Sequence, residues 1–412
     1  MKQIKALGIP KIKALGLGST AGLGSKKEDD TEVIVIELLD KLDDGSKNDG
    51  NNKELETTIK KGLLFGKKYR FKIKSFTNGI PKNKSDIKWL IKYHSPIKSQ
   101  NKWVEKKLSA TGDNISILFD DKDMCGRFVY VRAYIFDDKQ EAEIKLWKHN
   151  RFRWFDKETF DEELKDRTDD KKPYFINQSG TSLCGMACIF YLFAKEQPDD
   201  YANFSKELFR TGEAKFNNYT VKPSIELLEK KVDTLGYPLD TDGMPLIDYV
   251  TLAGTKNTYT PKYKGGSEKI AAINWPPMME FLSKNFLGYK TVTIGFGVSS
   301  NRKDFYKEVT AKEIIEDINK QIIDGFNLML LIDSDLIDDE FDFKSVDFHW
   351  VVLLTPISIK DYLNSFGEIV YNANFTVFSW GTDIKNPKKR LLKNPISLEH
   401  FYKNFYGYIK VK

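Results

Sequence analysis

The sequence predicts an α+β protein, and three observations carry that prediction. From residue 67 to 147, apolar and polar residues alternate with period two. From Cys184 onward apolar residues recur at helical spacing, and beyond residue 325 the pattern returns to short apolar strands. Strands, then helices, then strands again predict an N-terminal β-sandwich-like domain followed by a domain with helices first and an antiparallel sheet last.

The elements follow in order. Residues 4–8 and 12–16 repeat Ile-Lys-Ala-Leu-Gly, a Leu/Gly segment too apolar for an ordinary linker. Residues 33–39 form one apolar stretch, and 40–53 read as a polar linker, so 1–54 is assigned as N-terminal segment and linker. Tyr69, Phe71 and Ile73 alternate with Arg70, Lys72 and Lys74, the pattern of a strand with one buried face. A turn at Thr77-Asn78-Gly79 precedes predicted strands at 86–93, 115–119, 128–136 and 141–147, giving a β-rich delivery or docking domain over 55–155. Residues 156–172 read as a charged connector with helical character. The second domain, 173–412, is predicted to carry helices from Cys184, at 201–209 and at 221–234. A Gly- and Tyr-rich loop region over 235–300 encloses a helix at 277–284 and a strand at 291–296. A helix at 311–324 and strands at 328–333, 349–354, 375–380 and 406–411 complete it.

Composition narrows the function. The net charge of +6 comes from 65 basic and 59 acidic residues spread along the chain, a solvated surface rather than a nucleic-acid footprint, so no nucleic-acid partner is expected. Three cysteines cannot build a disulfide framework. No stretch approaches the ~18 apolar residues of a transmembrane segment. Lys2, Lys5, Lys11 and Lys13 interrupt any signal-peptide core, so the expectation is a protein that is cytoplasmic in the producing cell. No metal or cofactor pattern is present: His94 and His149 lie on separate elements, and the acidic stretch after Asp333 carries Asp338 where a calcium loop needs glycine.

The chemistry concentrates in Gln178, Cys184 and His349. Cys184 stands where a Ser/Gly/Thr loop meets an apolar helical run. There unpaired backbone N–H groups and the positive end of the helix dipole favour thiolate. Gln178, upstream, offers an amide donor toward an oxyanion forming beside the sulfur. His349 opens a β-type run, a rigid place from which an imidazole takes the thiol proton. Cys188, one turn after Cys184, reads as a small core residue, and Cys125 sits in a turn without a base.

On these residues the chain resembles the papain-like cysteine peptidase superfamily, and within it the bacteriocin-processing peptidases. The matching text is Gln178, Cys184-Gly185-Met186-Ala187-Cys188 and His349-Trp350-Val351-Val352. Phe378-Ser379-Trp380-Gly381 is similar to the Asn-Ser-Trp-Gly of papain-like enzymes. The resemblance covers 173–412. It implies Cys184 as nucleophile, His349 as base, Gln178 at the oxyanion, and Trp350 and Trp380 as shields and substrate contacts. Phe378 stands where the family has its imidazole-orienting Asn. Ser379 is the expected third member, with Asp383 and Asn374 as alternatives.

The layout is similar to effectors of bacterial contractile (type VI-like) injection systems. That likeness implies an antibacterial toxin injected into target cells, with a secretion-apparatus partner and a cognate immunity protein. The expected function is a cofactor-free hydrolase cleaving amide bonds in a protein substrate. The alternatives are a peptidoglycan amidase acting on wall peptides, a Gln deamidase or transglutaminase, and a non-catalytic adaptor.

Overall fold

The computed structural model describes residues 30–52, 57–96, 101–169, 171–266, 269–295, 311–337, 348–363, 366–367, 369–379 and 396–412. The repeat at 4–16, Trp380 and Asp383 lie outside them. Helix takes 31% of the chain and strand 33%, and the sheets are antiparallel, so the fold is mixed α+β.

Period-two alternation builds the first core. In Lys68–Phe76, Tyr69, Phe71 and Ile73 are buried while Arg70 and Lys72 face water. This strand lies between Val33–Leu38 and Asn114–Leu118 in a three-stranded sheet. A four-stranded sheet runs in the order Glu143–Lys148, Arg127–Tyr134, Lys88–Ser95, Lys102–Thr111. One apolar cluster joins both sheets, with Trp89, Ile91, Val129 and Val131 against Tyr69 and Phe71.

Two expectations are corrected here. Val33–Leu38 is a strand of the first sheet, paired with Lys68–Phe76, so the β-region begins near residue 33 rather than 55. Residues 40–53 are not a free linker: Asp43–Asp44 pairs with Lys61–Gly62 and Gly50–Asn52 with Thr57–Ile59, and Asp49 is fully buried. Their polar composition is satisfied by tertiary partners, which composition alone does not reveal. The strand Lys102–Thr111 was also missed, because its burial alternation is weak and it carries many charged residues.

The second core runs from Phe152 to Val411. The supposed connector is the helix Lys157–Thr168, capped by Asp156, and its Phe160 and Leu164 are buried in that core. Its Arg167 makes a buried ion pair with Asp248 (2.6 Å). It is therefore part of the body, not a spacer. The helix Cys184–Glu196 is buried from Cys184 to Ala194, and Pro198–Thr211 follows it with one apolar face.

Two further readings fail locally. Residues 221–234 hold only the turn Ile225–Leu228, because Val221 belongs to a hairpin pairing Ala214–Phe216 with Tyr219–Val221 and Pro223 breaks the path. The Gly- and Tyr-rich region contains a buried helical stretch, Leu246–Asp248 through a π turn at Tyr249–Ala253 to Gly254–Tyr259. Its Thr, Asn, Lys and Asp residues mask its burial in the sequence.

The closing sheet runs Val292–Gly295, Phe405–Val411, Asn327–Asp333, Phe348–Leu353, Val377–Phe378. The strand expected at 375–380 is confined to Val377–Phe378 among the described residues. No helix among the described residues is long and apolar enough to cross a membrane.

Candidate functional site

The site is built where the Cys184 helix meets the sheet. Cys184 is its first residue, after Leu183 and without a side-chain cap. The cap comes from elsewhere: Gly185 N–H donates to Asn274 Oδ1 (3.2 Å). Glycine after the cysteine has a steric reason. A Cβ there would meet Met279 Sδ and lie 2.5 Å from Asn274 Cβ.

Across from the helix start, Trp350 pairs with Leu331 and His349 with Ile332. Among the described residues the neighbouring Val377–Phe378 strand pairs with Val352 and Leu353. Leu354 N–H reaches Thr376 O on that edge, and N–H groups two residues apart point the same way. Trp350 N–H lies farther along the same edge and points to the Cys184 sulfur. The helix is held against this edge by Tyr191, which stacks on Phe378 (4.1 Å between centroids, 16° between planes).

The thiol's ionisation departs from expectation. Burial pushes the Cys184 thiol up to about 11. The N–H groups of Trp350, Gly185 and Cys184 itself and the charge of Lys256 all pull it down, without overcoming burial. The helix N-terminus is therefore present but outweighed. In this closed arrangement the sulfur rests as thiol.

His349 is half-buried on the strand, one residue from the N–H that holds the sulfur. Its Nε2 lies 3.4 Å from Ser379 Oγ, so the structure brings the expected third member to the imidazole. Asn374 instead ends the strand Ile369–Asn374, paired with Ser358. Gln178 is buried, and its carbonyl accepts Thr181 N–H and Oγ–H. Its side-chain Oε1 finds no hydrogen-bond partner among the described residues. The loop that carries it is tied down by Asp248, whose Oδ2 accepts Asn177 N–H (2.9 Å), and by Arg167, which donates to Phe175 O. Trp350 is not a surface contact: its indole is buried and donates Nε1–H to Asn274 O (2.7 Å).

Two residues escaped sequence reasoning. Asn274 caps the Cys184 helix and anchors Trp350. Lys256 is only 2% exposed, donates to Ile273 O (2.7 Å), and acts electrostatically on Cys184. Neither lies in a local motif; a lysine inside an otherwise apolar run with Thr and Asn was the only available signal. Cys188 is fully buried core, as expected. No cluster of three or more His, Cys, Asp or Glu able to hold a metal occurs among the described residues. No family model matches this chain, and no curated protein matches it in sequence.

Proposed function

We propose that this chain is a cysteine-dependent amide hydrolase of papain-like type, with Cys184 as nucleophile and His349 as the proton carrier. The observation that supports this most is the placement of Cys184 at the first turn of a buried helix, its sulfur taking the backbone N–H beside His349. In the proposed mechanism His349 accepts the thiol proton as sulfur attacks the amide carbonyl carbon. The Cys184 N–H and the Gln178 amide, turned to present its N–H, stabilise the oxyanion. The C–N bond then breaks, His349 returns the proton to the leaving amine, and water hydrolyses the thioester. Ser379 orients the imidazole. The substrate in this reading is a protein inside a bacterial target cell, and residues before about 150 serve delivery or docking.

Expression in a bacterial cytosol tests it. The expected result is growth arrest by the native chain, and none with Cys184→Ala or His349→Ala at equal folded levels. Toxicity only after periplasmic export would move the substrate to peptidoglycan. Toxicity indifferent to Cys184 would leave a non-catalytic adaptor.

A further inference from the structure

Lys256 is a buried cation without a carboxylate. It is 2% exposed, and no acidic side chain pairs with it among the described residues; its ammonium bonds Ile273 O (2.7 Å) and touches Met278 Sδ (3.5 Å). Burying an ammonium with only a carbonyl and a thioether for company is costly. A leucine or methionine would fill the same space more cheaply, so the charge calls for an anionic partner. The group whose charge reaches it is the Cys184 thiol, and the influence is mutual. Among the described residues Cys188, buried on the same helix, also feels the charge of Cys184, and His349 lies on the strand that supplies Trp350 N–H.

The position is also fixed. The carbonyl that holds Lys256 belongs to Ile273, and the next residue, Asn274, caps Gly185 and accepts Trp350 Nε1–H. One two-residue segment thus anchors the cation, the nucleophile helix and the histidine strand together.

We propose that Lys256 is the internal counter-charge of the Cys184 thiolate, a positioning residue that stays protonated while the thiol proton passes to His349. The inference rests on Cys184 being the nucleophile of the proposed reaction. It supplies what the helix N-terminus alone does not: a full positive charge in a site where burial favours the neutral thiol. The S–H bond breaks, its proton goes to the imidazole, and Lys256 gains an anion without changing its own protonation. Burial lowers the Lys256 ammonium to about 8, so this support fades as pH rises through that value.

The test is the pH dependence of iodoacetamide alkylation at Cys184 in the full chain, with the modified residue located by mass spectrometry. Lys256→Gln keeps a donor for Ile273 O and removes the charge. It should slow alkylation at pH 7 by about tenfold or more and move the thiol inflection upward, while Lys256→Arg stays within about threefold of the native rate. If Lys256→Gln does not fold, Lys256→Met, which keeps the apolar stem, gives the same reading. A folded neutral variant with the native profile overturns the proposal and makes Lys256 a strut. The outcomes separate from those of the enzymatic reading. Cys184-dependent hydrolysis with an unshifted thiol profile sinks the pairing alone. A shifted profile in a chain without Cys184-dependent hydrolysis supports the pairing and sinks the enzyme.

Discussion

Two histidine-containing polar clusters among the described residues are built in opposite ways. In the β-region His149 is 1% exposed, with Nδ1 2.8 Å from Asp49 Oδ2 and Nε2 2.9 Å from Asp43 O. Asp49 also accepts from Trp147 Nε1 and from the Asn150 N–H, and its carbonyl takes Asn150 Nδ2. Each of these side chains has a fixed partner. The second cluster holds Cys184 raised by burial and, among the described residues, Lys256 without a carboxylate and a Gln178 oxygen without a partner. A satisfied buried network stabilises and specifies a fold. An unsatisfied one is a cost that persists where a reacting group will complete it. By that contrast, His149 belongs to the architecture, and the Cys184 site is where the proposed chemistry would reside.

The contrast can be broken in order of effect. The largest change belongs to the second cluster: Cys184→Ala and His349→Ala should each lower hydrolysis by at least about a thousandfold with unchanged circular dichroism. Partial activity in either would erase the distinction. In the first cluster Asp49→Ala should cost about 3–5 kcal/mol, since it strips a buried imidazole, indole and amide of their shared acceptor. Denaturant unfolding measures that. Cys184 alkylation in the same protein, still folded in buffer, should be unaltered.

Gln178→Ala sharpens the comparison from the other side. Losing one oxyanion donor should reduce kcat by about 10²–10³ with little change in KM, and stability should hold, because the native side-chain oxygen has no partner to lose. A large loss of stability would return Gln178 to the architectural class.

The smallest effect concerns the strut between the two. Glu163 accepts Ile247 N–H (2.9 Å), and burial raises its carboxyl to about 7 despite Arg167 nearby. A raised carboxyl stabilises the fold fully below its unfolded value near 4.5, and that contribution disappears as pH rises through about 7. Glu163→Gln mimics the protonated form. Its stability advantage over the native chain, read by thermal unfolding, should therefore grow between pH 4.5 and 7.5, reaching at most about 2 kcal/mol for a side chain that is only partly buried. A constant offset across that range would mean the carboxyl does not titrate there.

These struts also revise the division of labour. Because Arg167 and Asp248 hold the Phe175–Asn177 loop just before Gln178, a chain begun near residue 160 would lose the Asp156 cap and the buried Phe152 and Phe155. The helix that reads as a connector is part of the support of the site.

Local periodicity was enough for much of this molecule. Tyr69, Phe71 and Ile73 announce a half-buried strand, the Cys184 run a buried helix, and residues 328–333 a central strand, since each pattern depends on neighbours within a turn or a pleat. Cys184, His349, Gln178 and Ser379 were legible as residue types at a recognisable spacing. What the tertiary structure alone decided lies between residues far apart in the chain. Asp49 became a core acceptor because His149 and Trp147 arrive above it. Lys256 became a buried charge because Ile273 and Met278, distant in the sequence, close over it. Burial, not the helix dipole, set the resting state of the thiol. Solvent exclusion is a property of the assembled core, and no window of sequence contains it.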